Sequence, residues 1–213
     1  MNCCQSFAGT DRFFSKHSHR YAKRFRKKGP DKTSRILIAE LSRTGIATKT
    51  VLDIGCGVGD VHLSLLEQGA SMALGIDLSQ GMLDQAAKLA KERGIDHRVR
   101  YVHGDLATTS DPIDPADIVV LDKVLCCYAD PEALLRESTG KAKSYLALSY
   151  PRASWTAAAG FRFLGWLGRI LGWSFHPYYH EPSFLEQTIV RSGFVEMFSA
   201  ETIIWQLKIY ARA

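Results

Sequence analysis

Between residues 50 and 150, short unbroken apolar runs alternate with longer stretches in which apolar residues recur every three or four positions. The first pattern predicts buried strands at 50–53, 71–77, 99–104, 116–122 and 143–150; the second predicts helices at 58–68, 79–92 and 130–141. The punctuation agrees. Gly69 and Gly94 follow the first two helices, Ser79 is placed to cap the second, and Pro131 opens the third. Strands that are apolar throughout have both faces covered, so a parallel sheet between two helical layers is expected. Outside this core, 33–43 has helical spacing and closes near Gly45. A last helix starts at 181 and stops at Gly193, and 194–200 with 202–211 read as a closing strand pair. Residues 152–181, rich in Trp, Phe, Gly and Tyr, break the alternation.

In such a sheet, ligands bind at the carboxyl ends of the strands. Asp53, Asp77, Asp105 and Asp122 all fall at those ends. After the first strand the chain reads Val-Leu-Asp-Ile-Gly-Cys-Gly-Val-Gly-Asp over 51–60, with glycines at every second position. Gly55, Gly57 and Gly59 allow a sharp turn and a close approach of backbone to ligand. A pyrophosphate at this turn needs positive potential, whereas Asp53 and Asp60 bracket it with negative charge. A nicotinamide fingerprint would put its third glycine at position 60, which is Asp. A cationic ligand fits better. Asp77, 24 residues beyond Asp53, can accept from vicinal ribose hydroxyls.

This run resembles the first motif of class I S-adenosylmethionine-dependent methyltransferases, and the resemblance extends over about residues 50–211. It implies an α/β, Rossmann-like methyltransferase fold: a mostly parallel seven-stranded sheet, helices on both faces, and an antiparallel last strand. It also implies S-adenosyl-L-methionine as cofactor, held by Asp53, Gly55, Cys56, Gly57, Gly59 and Asp77. Leu78 and Met82 would pack on the adenine, Asp105 would accept from its amino group, and Leu106 would supply the neighbouring amide. The run 116–131 resembles the family's fourth motif and delivers residues 122–128 to the methyl-transfer centre. Many members carry His where this chain has Cys126 and Cys127. The Asn-Pro-Pro-Tyr type of motif is absent, so adenine N6 methylation is not expected. Asp122, Tyr128 and His180 are the catalytic candidates, with Lys123, Tyr178 and Tyr179 beside them in the 176–181 cluster and fourth motif. In-line methyl transfer needs a base only when the acceptor must first lose a proton.

With 213 residues, 46% of them apolar, the chain suits one domain, and a core of that size needs no disulfides. The five cysteines (3, 4, 56, 126 and 127) show no metal-ligand spacing; no metal is expected, and a reducing cytoplasmic location is. No secretory signal is expected, and the apolar stretch 161–175 is interrupted by Arg162 and Arg169 and is too short to cross a bilayer. Charge is unevenly placed: residues 1–35 hold ten Lys and Arg against Asp11 and Asp31, while the rest is slightly acidic. This divides the chain into a basic N-terminal arm with cap helices (1–45) and a methyltransferase domain (46–213) carrying 152–181 as a substrate lid. The arm reads as a solvated cap helix, as a cover that brings Tyr21 or Phe25 over the cofactor, or as an electrostatic clamp for nucleic acid. The lid suits a flat apolar acceptor or peripheral membrane contact. A small-molecule acceptor, apolar and anionic, is the leading expectation. The layout is also similar to that of magnesium-protoporphyrin O-methyltransferases. The competing expectations are an RNA or protein methyltransferase and, in another class, a nucleotide-binding oxidoreductase or a silent cofactor sensor.

Overall fold

The five strands expected from the short apolar runs lie parallel in the computed structural model, which describes residues 7–109, 112–173, 175 and 177–213. They are β1 (Thr50–Ile54), β2 (Met72–Asp77), β3 (Val99–His103), β4 (Ala116–Asp122) and β5 (Ala142–Pro151). Two more, β6 (Phe194–Glu201) and β7 (Trp205–Arg212), complete one sheet of order β3-β2-β1-β4-β5-β7-β6. The last strand, β7, inserts antiparallel between β5 and β6, as the family resemblance implied. After β3 the chain crosses back to pair β4 with β1, and that reversal opens a crevice beyond the carboxyl ends of β1 and β4.

Helices cover both faces. α1 (Phe7–Lys28), α2 (Lys32–Arg43), α3 (Asp60–Glu67) and α4 (Gln80–Glu92) pack on one side; α5 (Pro131–Lys141) and α7 (Pro182–Arg191) pack on the other. α3 starts two residues later than the apolar spacing suggested, because Gly59 at φ +91° is still in the turn. The basic arm is part of this core. Ala22 and Phe25 of α1 and Leu37, Ile38 and Leu41 of α2 are buried in one cluster with β1 and α3 residues. The 152–181 segment contains a helix, α6 (Trp155–Ile170). His176, Cys3 and Cys4 lie outside the described residues.

Candidate active site

The turn after β1 is built by glycines under different constraints. Gly55 has φ +62°, and a Cβ there would stand 2.6 Å from the Val124 side chain. Gly57 has φ +54° and nothing within 4 Å of a built Cβ, so its Cα faces open space. Between them the Cys56 amide donates to the Ile76 carbonyl at 3.0 Å, tying the turn to β2. Burial, reinforced by Asp77 and Asp53, pushes the Cys56 thiol well above its usual pKa, so it is a neutral packing group.

Four acids arrange themselves around this turn. Asp77 accepts from the Gly57 amide and from the Ser79 amide, both at 2.8 Å. Burial outweighs those two bonds and raises its pKa to about 6. Burial does the same to Asp60, also to about 6. Asp53 is buried and accepts from His62 Nδ1 at 2.8 Å. With that proton on Nδ1, His62 Nε2 accepts from the hydroxyl of half-buried Tyr101 at 3.2 Å, which gives an Asp–His–Tyr relay whose first two members are buried. Asp105 accepts from its own loop, at the Ala107 amide, and from the Tyr128 hydroxyl at 2.7 Å. Tyr128 therefore sits beside Asp105. Burial and then that carboxylate raise its pKa, so it stays protonated.

Asp122 is enclosed. Ser34 and Ser149 hydroxyls each donate to it at 2.5 Å, and Lys123 Nζ lies 3.1 Å away. Lys123 adopts a left-handed φ of +62° and also reaches Asp31 at 2.6 Å. Burial lowers the lysine's pKa, but Asp122 and Asp31 outweigh it and the net shift is upward. Asp31 in turn caps α2 through the Ser34 amide at 3.1 Å. The network thus bolts the N-terminal helices onto the end of β4. His180 lies elsewhere: its Nε2 contacts the Tyr128 carbonyl at 2.8 Å, and its ring stacks against Tyr178. Tyr178, Tyr179 and His180 do not line the crevice.

The crevice is a cavity of about 510 Å³, within the roughly 300–1,000 Å³ of small-molecule sites. It brings together Asp53, the turn from Gly55 to Val58, Asp77, Leu78, Met82, Asp105, Leu106, Asp122 and Tyr128. Its far side comes from residues that the motifs did not mark: Phe13, Phe14, Tyr21 and Arg24 of α1, Asp31, and Phe161, Phe175 and Trp205. Phe13 stacks on Phe175 with ring centroids 5.0 Å apart, which joins α1 to the 152–181 segment. Of the two aromatics expected to cover the cofactor, Tyr21 lines the cavity, whereas Phe25 is buried under Arg93 at 4.3 Å. Asp31 could have been found from its Asp-Lys-Thr-Ser cap spacing. The His62 relay had no sequence signal. Among the described residues no cluster of three or more His, Cys, Asp or Glu could hold a metal ion.

Residues 51–143 match the family model described as a methyltransferase domain. A ubiquinone biosynthesis O-methyltransferase of Methylococcus capsulatus is 31% identical over 102 residues, which is 48% of this chain and 42% of that protein. Protein arginine N-methyltransferase 1 of Chlamydomonas reinhardtii is 36% identical over 72 residues, 34% of this chain and 21% of that one. The chain thus spans less than half the length of these relatives. The crystal structure of magnesium protoporphyrin IX methyltransferase from Synechocystis PCC 6803 with bound SAH superposes with a TM-score of 0.74 at 19% identity. That match covers 96% of this chain and 97% of the other. The fold is that of the class I methyltransferases. Residues 51–143 thus carry a methyltransferase domain, within a chain that shares the fold of the Synechocystis enzyme.

Proposed function

We propose that the protein transfers the methyl group of S-adenosylmethionine to a small, apolar acceptor bearing an anionic group. One observation carries the reading: the cavity joins the glycine turn and its acids to an aromatic chamber edged by Arg24 and Lys123. The cofactor half fits the group on its own terms. Gly57 presents bare backbone to open space, and Asp77 keeps lone pairs beyond its two amide bonds for ribose hydroxyls. Asp53, with one oxygen committed to His62, adds negative charge suited to a cation. Leu78 and Met82 offer apolar surface for the adenine, and Asp105 with Leu106 its polar edge.

When bound, the cofactor supplies an electrophilic methyl on a good leaving group. This chain's residues position and exclude. Roof and lid aromatics keep water from the reacting atoms, and holding acceptor and methyl carbon in line at about 3–3.5 Å supplies several kcal/mol. Asp122, saturated by two hydroxyls and an ammonium, is assigned as the anchor of the roof. Tyr128 orients Asp105, and His180 orients the loop that carries Tyr128. None of the three is then a proton acceptor, which suits a carboxylate acceptor that has no proton to lose.

The acceptor class we favour is a carboxylated tetrapyrrole such as magnesium protoporphyrin. The likeness to the Synechocystis enzyme runs the length of both chains, beyond the 51–143 match. A cavity that must also hold the cofactor cannot enclose a whole macrocycle; its carboxylate arm would enter beside Arg24 while the ring stays at the mouth. A nucleic-acid clamp is less well supported, since Phe25 of α1 is buried and Arg26 is paired at the surface with Glu92 of α4 at 2.7 and 2.8 Å. The test is an acceptor screen with radiolabelled cofactor. Methyl-ester formation on a carboxylated tetrapyrrole is expected. Methylation of an unrelated acceptor would remove the tetrapyrrole reading, and calorimetry showing no cofactor binding to folded protein would remove the whole proposal.

A further inference from the structure

Helix α6 is amphipathic in an inverted sense. Gly165 and Gly168 face the body of the protein, and a Cβ at Gly165 would stand 2.8 Å from the Pro177 carbonyl. The large apolar side chains face outward: Trp155 is 83% exposed, Phe163 58%, Trp166 56% and Ile170 61%. Their spacing of 8, 3 and 4 residues places them on one helical face. Leu171 and Trp173 continue the exposed surface past the helix end. Arg162 and Arg169, both exposed, fall along one edge of this stripe. An isolated exposed Leu needs no explanation, but two tryptophans, a phenylalanine and an isoleucine on one face do.

We propose that this face docks the protein on an anionic lipid bilayer surface. Tryptophan suits that interface, because its apolar ring enters the acyl boundary while its indole N–H stays among the headgroups. Arginines at the edge of the apolar stripe meet the lipid phosphates. The neighbouring helix adds charge of the same sense. Arg12, Lys16, Arg20, Lys23 and Lys27 of α1 are exposed and recur at helical spacing. Phe13 of α1 stacks on Phe175, just beyond the exposed Trp173, so α1 adjoins the apolar surface. Phe161 of α6 and Phe175 also line the cavity, so an apolar molecule leaving the bilayer would find its mouth alongside. No described helix is long and apolar enough to cross a membrane, so the contact is peripheral.

The experiment is vesicle flotation of the full chain, at low and high salt, with phosphatidylglycerol-containing or pure phosphatidylcholine vesicles. Flotation with the anionic vesicles, weakened by salt and accompanied by a blue shift of tryptophan fluorescence, is expected. The variant Trp155→Ser/Phe163→Ser/Trp166→Ser, altered only at exposed positions, should lose at least about tenfold in partitioning while keeping its circular dichroism spectrum and cofactor affinity. Arg162→Gln/Arg169→Gln should weaken binding to anionic vesicles and leave any residual binding to neutral ones. Failure of the wild type to float with anionic vesicles at low salt overturns the proposal. So does undiminished flotation of both variants. Self-association that the triple variant abolishes, without vesicle binding, would make the face an interface between copies of the chain instead. No acceptor is present in these measurements, so the docking surface stands or falls separately from the methyl-transfer reading.

Discussion

Gly55 and Gly57 are two residues apart and answer to different physics. Gly55→Ala drives a Cβ into Val124 at a left-handed φ, so it should lower stability by about 1–3 kcal/mol in urea unfolding. Gly57→Leu meets no protein atom at its Cβ and should fold with only the left-handed backbone penalty. Its side chain would occupy the cofactor's space, so calorimetry should detect no cofactor binding. His62→Ala leaves Asp53 buried without its ring partner and should cost about 1–3 kcal/mol, read by the same unfolding experiment. Asp77→Ala should weaken cofactor binding by about 1–3 kcal/mol, and an unchanged dissociation constant would show the ribose contact to be misplaced. Asp77 also sets a pH dependence. Its pKa near 6 lies above the unfolded value of about 3.9, so the native state binds the extra proton between those values. The stability from that proton is present below the unfolded pKa and lost as pH rises through about 6. Cofactor binding runs the other way, because ribose hydroxyls need the ionised carboxylate. Affinity should be level above pH 7 and fall below about 6, by up to about tenfold per unit, and Asp77→Asn should flatten the profile.

At the scale of elements, α1 decides how the cofactor end is covered. Asp11 accepts from the Gln80 amide at 3.1 Å, and Ser15 accepts from the Gly81 amide at 2.9 Å. With Ser79 capping Met82, the opening amides of α4 are satisfied partly by a helix more than sixty residues earlier. Asp11→Ala/Ser15→Ala should therefore loosen α1, raising its amide hydrogen exchange and weakening cofactor binding while the sheet stays protected. Strand positions, the Ser79 cap and Pro131 at the first position of α5 were legible because they rest on local rules. The docking of α1 was not. Its charge run is conspicuous in the sequence, but Asp11, Ser15, Ala22 and Phe25, which seat it, share one helical face and only Phe25 of the four is large and apolar, so no hydrophobic stripe marks it.

For the whole molecule, sheet order is what makes one site of scattered residues. Strand reversal sets the ends of β1, β2 and β4 side by side, so acids far apart in sequence share one cavity. Deleting residues 1–30 removes its roof and the Asp11 and Ser15 caps, and cofactor affinity measured by calorimetry should fall with it; unchanged affinity would favour the arm as a separate clamp. The alternating runs determined the fold class, and the 51–60 run with the strand-end acids marked the residues that line one side of the cavity, because close backbone approach and opposite charge need particular residues at fixed spacing. The far side of the cavity was decided only by tertiary structure. Its aromatics, the Asp31–Lys123–Asp122 lock and the outward face of α6 depend on which helix packs where, and packing geometry is not encoded at any fixed separation along a chain.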